Sequence, residues 1–289
     1  MFQALALIIL ALPLDSPEPA HASNLVYREI VGEGVRLGET PIRLPAPRLI
    51  DGQTPEAQRK ALAELAGGER AAEDLLRDSV NAPFVLKVRD EKTPAGDTIR
   101  QADLVFVVHA PLDVIEPAET ARQAAKAPAE AANMRVETML LGSGDLNALK
   151  IPPPEEGREW YARMTARLLD RIQVTATDHV VVSRSADSLV MASRTDPRFG
   201  QKTATPNAWT TLARDGTPGS EPQPYEGGMS YTKISRMAGA PTILVVEAHF
   251  AFVEPKAWFD GAPVLRSKFA PVAQDQIRRL RRQVKERKP

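Results

Sequence analysis

Cysteine is absent from the 289-residue chain. Its absence excludes a disulfide framework, a thiolate metal site, a cysteine nucleophile and a lipid-bearing cysteine. Net charge is missing as well: Lys+Arg 37 balance Asp+Glu 37, which argues against a dedicated nucleic-acid binder. The signatures that announce common chemistry do not occur, neither a G-x-S-x-G elbow nor a Walker loop nor an H-E-x-x-H pair. Gly32-Glu33-Gly34 with Gly38 imitates a dinucleotide loop, but the spacing is wrong and no strand and helix frame it. Histidine is scarce, with 4 in the chain, so a metal centre of three or four converging ligands is not spelled out and no cofactor is expected.

Apolar runs long enough to cross a bilayer are also lacking. The longest extends from Phe2 to Leu14 (FQALALIILALPL), short of the roughly 20 residues that a transmembrane helix needs. It is followed by a polar, proline-containing stretch and by Ala20-His21-Ala22. That succession predicts a secretory signal peptide over residues 1–22, cut after Ala22, with a single exported periplasmic or extracellular domain over 23–289 beginning at Ser23. No Lys or Arg precedes the run, which departs from the usual pattern, and the alternative is a buried amino-terminal helix.

Residues 24–49 are cut by Gly32, Gly34, Gly38, Pro41, Pro45 and Pro47 and read as extended, edge-like structure. Thr54-Pro55-Glu56 is a helix start: a hydroxyl to cap, a proline preset for the first turn and a carboxylate suited to the dipole. A second helix follows Gly67-Gly68. Strands are expected over 84–89 and 104–109, the second apolar on both faces, and over 134–141. The alanine-rich stretch 116–132 favours helix, ended or kinked by Pro128. Trp160, Met164, Leu168 and Ile172 recur every four residues and predict a helix from Glu155 to about Ile172.

Beyond that point the period becomes 2. Residues 174–183 and 189–195 suggest a hairpin, and 229–237 and 242–253 two further strands. In the last, Leu244, Val246, Ala248, Phe250 and Phe252 mark the core-facing side. A basic helix closes the chain over about 264–287. Between the strands at 189 and 229 lies a proline- and glycine-rich segment, 196–228, expected to be flexible: a functional flap or a surface loop packed through Trp209.

The sharpest polar constellation is Glu247 with His249, two apart on one strand and so on one face. A carboxylate beside an imidazole can orient a general base, which makes a hydrolase or metal-dependent enzyme one reading. Polar contacts beneath a covering element are the other. Asp178 and His179 are adjacent, so they point to opposite faces. Trp209 and Tyr225 in the proline-rich segment, and Arg278 and Arg282 in the basic helix, are candidate binding residues. The helix carries Arg278, Arg279, Arg281, Arg282, Lys285, Arg287 and Lys288 against Asp275 and Glu286. It could meet an anionic envelope surface, or simply be solvated.

Taken together the patterns predict an α+β domain with a largely antiparallel sheet, flanking helices and a C-terminal helix packed on it. In element order, residues 104 to 282 resemble the START or helix-grip lipid-binding folds. The resemblance rests on a strand leading into Ala110-Pro111-Leu112-Asp113, a Trp209 strand ending at Asp215-Gly216, and a last helix ending in Leu280-Arg281-Arg282. The strand at 242–253 is an addition to that pattern, so no ligand site is carried over. The function expected is non-enzymatic binding of an apolar small molecule, an envelope component or a protein partner, with no nucleic acid and no transmembrane segment.

Overall fold

Period-2 alternation dominates most of the chain, and one large antiparallel sheet is its consequence. The computed structural model describes residues 18–259 and 262–286, so the apolar run from Phe2 to Leu14 lies outside the described residues, as do Arg287 and Lys288. In chain order the elements are α1 (Leu25–Arg28), a π-helical turn (Glu29–Glu33), β1 (Val35–Leu37), β2 (Thr40–Ile42), α2 (Pro55–Ala66), α3 (Glu69–Leu75), β3 (Val85–Lys92), β4 (Thr98–His109), α4 (Pro117–Ala124), β5 (Ala129–Ala131) and β6 (Met134–Leu140). There follow α5 (Ser143–Asn147), β7 (Glu159–Leu168), β8 (Ile172–Arg184), β9 (Ser188–Thr195), β10 (Ala208–Thr211), β11 (Gln223–Pro224), β12 (Gly228–Met237), β13 (Ala240–Glu254) and α6 (Phe269–Glu286). The main path runs β3-β4-β13-β12-β9-β8-β7-β6-β5, with β10 added on β8 and β11 on β10.

The sheet is curled. β13 and β6 are five strand intervals apart along that path, which would place them about 24 Å apart in a flat sheet. Yet Met134 of β6 and Phe250 and Phe252 of β13 border a single cavity. Helix α6 is held within the curl, touching β4 near one end of the path and β5 at the other. A curled antiparallel sheet around a C-terminal helix is the α+β arrangement expected from the sequence.

Both faces of the central strands are covered. On the concave face, Leu244 and Val246 pack with Phe106, Val108 and with Ile277 and Val284 of α6. Phe250 and Phe252, on the same side, meet Phe269 edge-on at 5.7 and 6.1 Å but are only half-buried, because they face the cavity. On the convex face, Val105, Val107 and Val245 pack under Leu62 of α2 and Leu75 of α3. Thr54 caps α2 as its sequence requires, its hydroxyl accepting from the Ala57 N–H at 3.2 Å. Farther along that face the N-terminal segment lays Val26, Tyr27 and Ile30 over Val190, Tyr231 and Val253.

Three expectations are corrected. The helix expected from Glu155 to Ile172 is the β7–β8 hairpin, paired from Glu159 with Val181 to Leu168 with Ile172. A four-residue spacing is also two strand steps, and Ala162 and Ala166 fill the intervening positions of one face, so the pattern fits either period. Leu169 and Asp170, both at positive φ (54° and 53°), form the tight turn that the right-handed strand twist favours. The alanine-rich stretch is helical only as α4; beyond Pro128 it becomes the edge strand β5. Residues 24–33, expected to be extended, coil into α1 and the π-helical turn, with the Asn24 side chain accepting from the Tyr27 N–H at 3.0 Å.

Candidate functional site

Glu247 and His249 share a face of β13 as alternation demands, but that face is buried beneath the N-terminal segment. They are 1% and 4% exposed. The Glu247 carboxylate accepts from the backbone N–H groups of Arg48 (2.9 Å) and Leu49 (3.0 Å) and so pins that segment to the sheet. Burial raises its pKa above the ordinary carboxylate value. His249 Nδ1 meets Asp103 Oδ1 at 2.7 Å and its ring stacks on Tyr231, centroids 4.9 Å apart. Burial would raise the Asp103 pKa, but the His249 contact together with Arg89 and Lys87 holds it below its usual value. A cleft of about 200 Å³ borders the pair, lined also by Pro45, Arg48, Leu65 and Lys87.

The other histidines do not join them. His109 Nε2 meets the Leu76 carbonyl at 3.0 Å, and His179 pairs with Glu159 at 2.5 Å while stacking on Tyr161. His21 is wholly buried, its two ring nitrogens meeting the hydroxyls of Ser183 (2.8 Å) and Ser188 (2.7 Å). Burial, reinforced by the Lys233 charge, pushes its pKa down to about 4. Glu18, His21 and Asp51 bring ligand-type atoms within 4.8 Å of one another. The Lys233 ammonium already lies there, bonded to Glu18 and 3.4 Å from Asp51, so the cluster is a buried ion-pair network.

Of the binding candidates, Trp209 on β10 is 9% exposed and stands edge-on to Trp258 at 6.1 Å. Tyr225 stacks on Trp258 at 5.9 Å and reaches the concave side. Arg278 is half-buried and Arg282 exposed on α6, and neither borders the cavity. Of the two arginines between them in sequence, Arg281, 5% exposed, donates to the carbonyls of Val107 (2.9 Å), Ala82 (2.5 Å) and Pro83 (3.2 Å), locking α6 to β4 and to the turn before β3. The segment 196–228 is anchored by Asp196, which pairs with Arg198, and by Asn207, whose amide accepts from the Thr177 N–H (2.8 Å) and donates to the Asp196 carbonyl (2.9 Å).

Inside the grip lies an apolar cavity of about 310 Å³. Its walls come from β6, β7 and β8 (Met134, Met164, Leu168, Val174, Ala176), from β12 and β13 (Met229, Phe250, Phe252), and from Trp258, Leu265 and Phe269. Four hydroxyl residues, Ser193, Thr195, Tyr225 and Ser230, and one carboxylate, Asp178, interrupt the apolar lining. Asp178 sits in the concave row Val174, Ala176, Asp178, Val180, Val182 of β8. Thr195, its cross-strand partner, donates to Asp178 Oδ1 at 2.9 Å. Burial pushes the Asp178 pKa up from 3.8 to about 6, the hydroxyl opposing it. Burial raises the Tyr225 hydroxyl too, and the Asp178 charge adds to that.

No family model and no curated protein matches the chain. Among solved structures it is similar to human STARD10, with 12% sequence identity, 86% of this chain and 85% of that chain covered, and a TM-score of 0.40.

Proposed function

We propose that this protein binds an apolar small molecule, without transforming it, in the cavity between the curled sheet and α6. The observation that carries this reading is the cavity itself: about 310 Å³ of space whose walls are methionine, leucine, valine and aromatic side chains. Apolar walls that face one another across a concavity forgo dispersion contacts with each other, and an apolar ligand between them supplies those contacts. The alternative, chemistry at Glu247 and His249, has less support, since Glu247 is occupied in holding backbone N–H groups and no other histidine lines that cleft.

The test uses the neutral fluorophore N-phenyl-1-naphthylamine. Wild-type protein should bind one equivalent saturably with enhanced emission. Ala176→Phe, which fills the cavity from β8, should abolish binding while the thermal melt remains cooperative. Emission that stays at the free-dye level with wild-type protein, or that is the same for both proteins, would overturn the proposal.

A further inference from the structure

Asp178 is the feature of the cavity that apolar binding alone does not explain. A carboxylate facing an apolar space is costly to hold unless its oxygens find donors. One oxygen is served: Thr195 gives its single hydroxyl proton to Oδ1 and uses its lone pairs to accept from the Gly228 N–H at 3.0 Å. Among the described residues no donor meets Oδ2. Ser193 and Ser230 bond to each other at 2.9 Å, and no Lys, Arg or His among the described residues contributes to the cavity lining. The cavity thus presents one acceptor of negative charge at a fixed point in an otherwise apolar wall, with nothing positive to greet an anionic headgroup.

We propose that the ligand is an apolar amine, its chain lying among Met164, Leu168 and Phe252 and its ammonium donating to Asp178 Oδ2. This rests on the reading of the cavity as a binding site and adds the chemistry of the ligand's polar end. A protonated amine relieves the unpaired carboxylate through a charge-assisted hydrogen bond. A hydroxyl supplies a weaker, neutral bond, and a carboxylate or phosphate brings a second negative charge to the same place. Specificity then follows from what the wall repels as much as from what it holds.

Displacement of N-phenyl-1-naphthylamine by decylamine, decanol and decanoate at pH 7.5, each below its aggregation concentration, tests this. Decylamine should bind about tenfold or more tighter than decanol, as expected of an ionic over a neutral hydrogen bond, and decanoate weakest. Asp178→Asn should remove the preference for decylamine over decanol and leave decanol affinity nearly unchanged. Should that variant fail to fold, the wild-type protein gives a second measure. Decylamine stays protonated throughout, so its advantage should shrink as the pH falls from 7.5 to 5 and Asp178 takes up a proton. Tyr225, the one other titratable group among the described lining residues, is a phenol and stays neutral over that range. Equal affinities, tightest binding of decanoate, or an amine preference unaffected by both Asp178→Asn and acid would overturn the inference while apolar binding stands. Failure of the fluorophore itself to bind wild-type protein would overturn the underlying reading as well.

Discussion

Asp178 and His249 lie on opposite faces of the same sheet, and substitution should affect them differently. The folded-state pKa of Asp178 is raised, so the native protein favours its protonated form. Its ionisation therefore destabilises the ligand-free fold above about pH 6, an effect that fades as the pH falls toward 3.8. Asp178→Asn should accordingly stabilise the ligand-free protein by about 2 kcal/mol at pH 7.5, and the gain should vanish near pH 4 in paired urea melts. His249→Gln keeps a hydrogen-bonding partner for Asp103 and should cost about 1 kcal/mol, with binding of N-phenyl-1-naphthylamine unaltered. Loss of a measurable ester or phosphoester hydrolysis in a well-folded His249→Gln protein would instead favour chemistry at that cleft. Alternation alone placed Glu247 and His249 side by side; it could not show that residues 48 and 49 cover them, because that contact spans almost 200 positions. Asp178 was legible in principle as a carboxylate in the row of Val174, Ala176, Val180 and Val182. Its neighbour His179 faces the other way, toward Glu159 and Tyr161.

Among the elements, the N-terminal segment has the most testable energetics. Lys233 is 0% exposed, and its ammonium depends on Glu18 and Asp51. Glu18→Gln should destabilise the fold by about 3–5 kcal/mol, the range for breaking a buried ion pair, and Glu18→Gln with Lys233→Met should recover most of the loss. Urea denaturation of the three proteins measures both. A chain beginning at Ser23, the product of cleavage after Ala22, lacks Glu18 and His21 and should lose at least as much stability relative to one beginning at Asp15. Amino-terminal sequencing of the protein from its native source would show whether cleavage after Ala22 takes place. β8, β9, β12 and β13 were legible because branched and aromatic residues alternate there in long runs, whereas the short β10 and β11 lie within the proline-rich segment. β7 reads as a helix in the sequence because its large side chains stand four apart with alanines between, a spacing that helix and strand share. α6 was legible from Ile277, Leu280 and Val284, but its tightest attachment is Arg281, which composition assigns to a charged surface.

At the scale of the whole molecule, the curl is the property least visible in the sequence. No local period encodes the approach of β6 to β13; it results from the accumulated twist of the intervening strands and from α6 filling the space between them. The cavity follows from that curvature. α6 is also translated after every strand it closes upon, and its contacts with β4 and β5 reach back across more than a hundred residues. While the ribosome still holds α6, the concave face, with Phe250, Phe252 and Asp178, stands open and its apolar rows are exposed. Contacts of such long sequence separation form late and slowly. Until α6 docks, the nascent chain therefore carries an open trough of apolar rows, and that interval is when it is most prone to self-association.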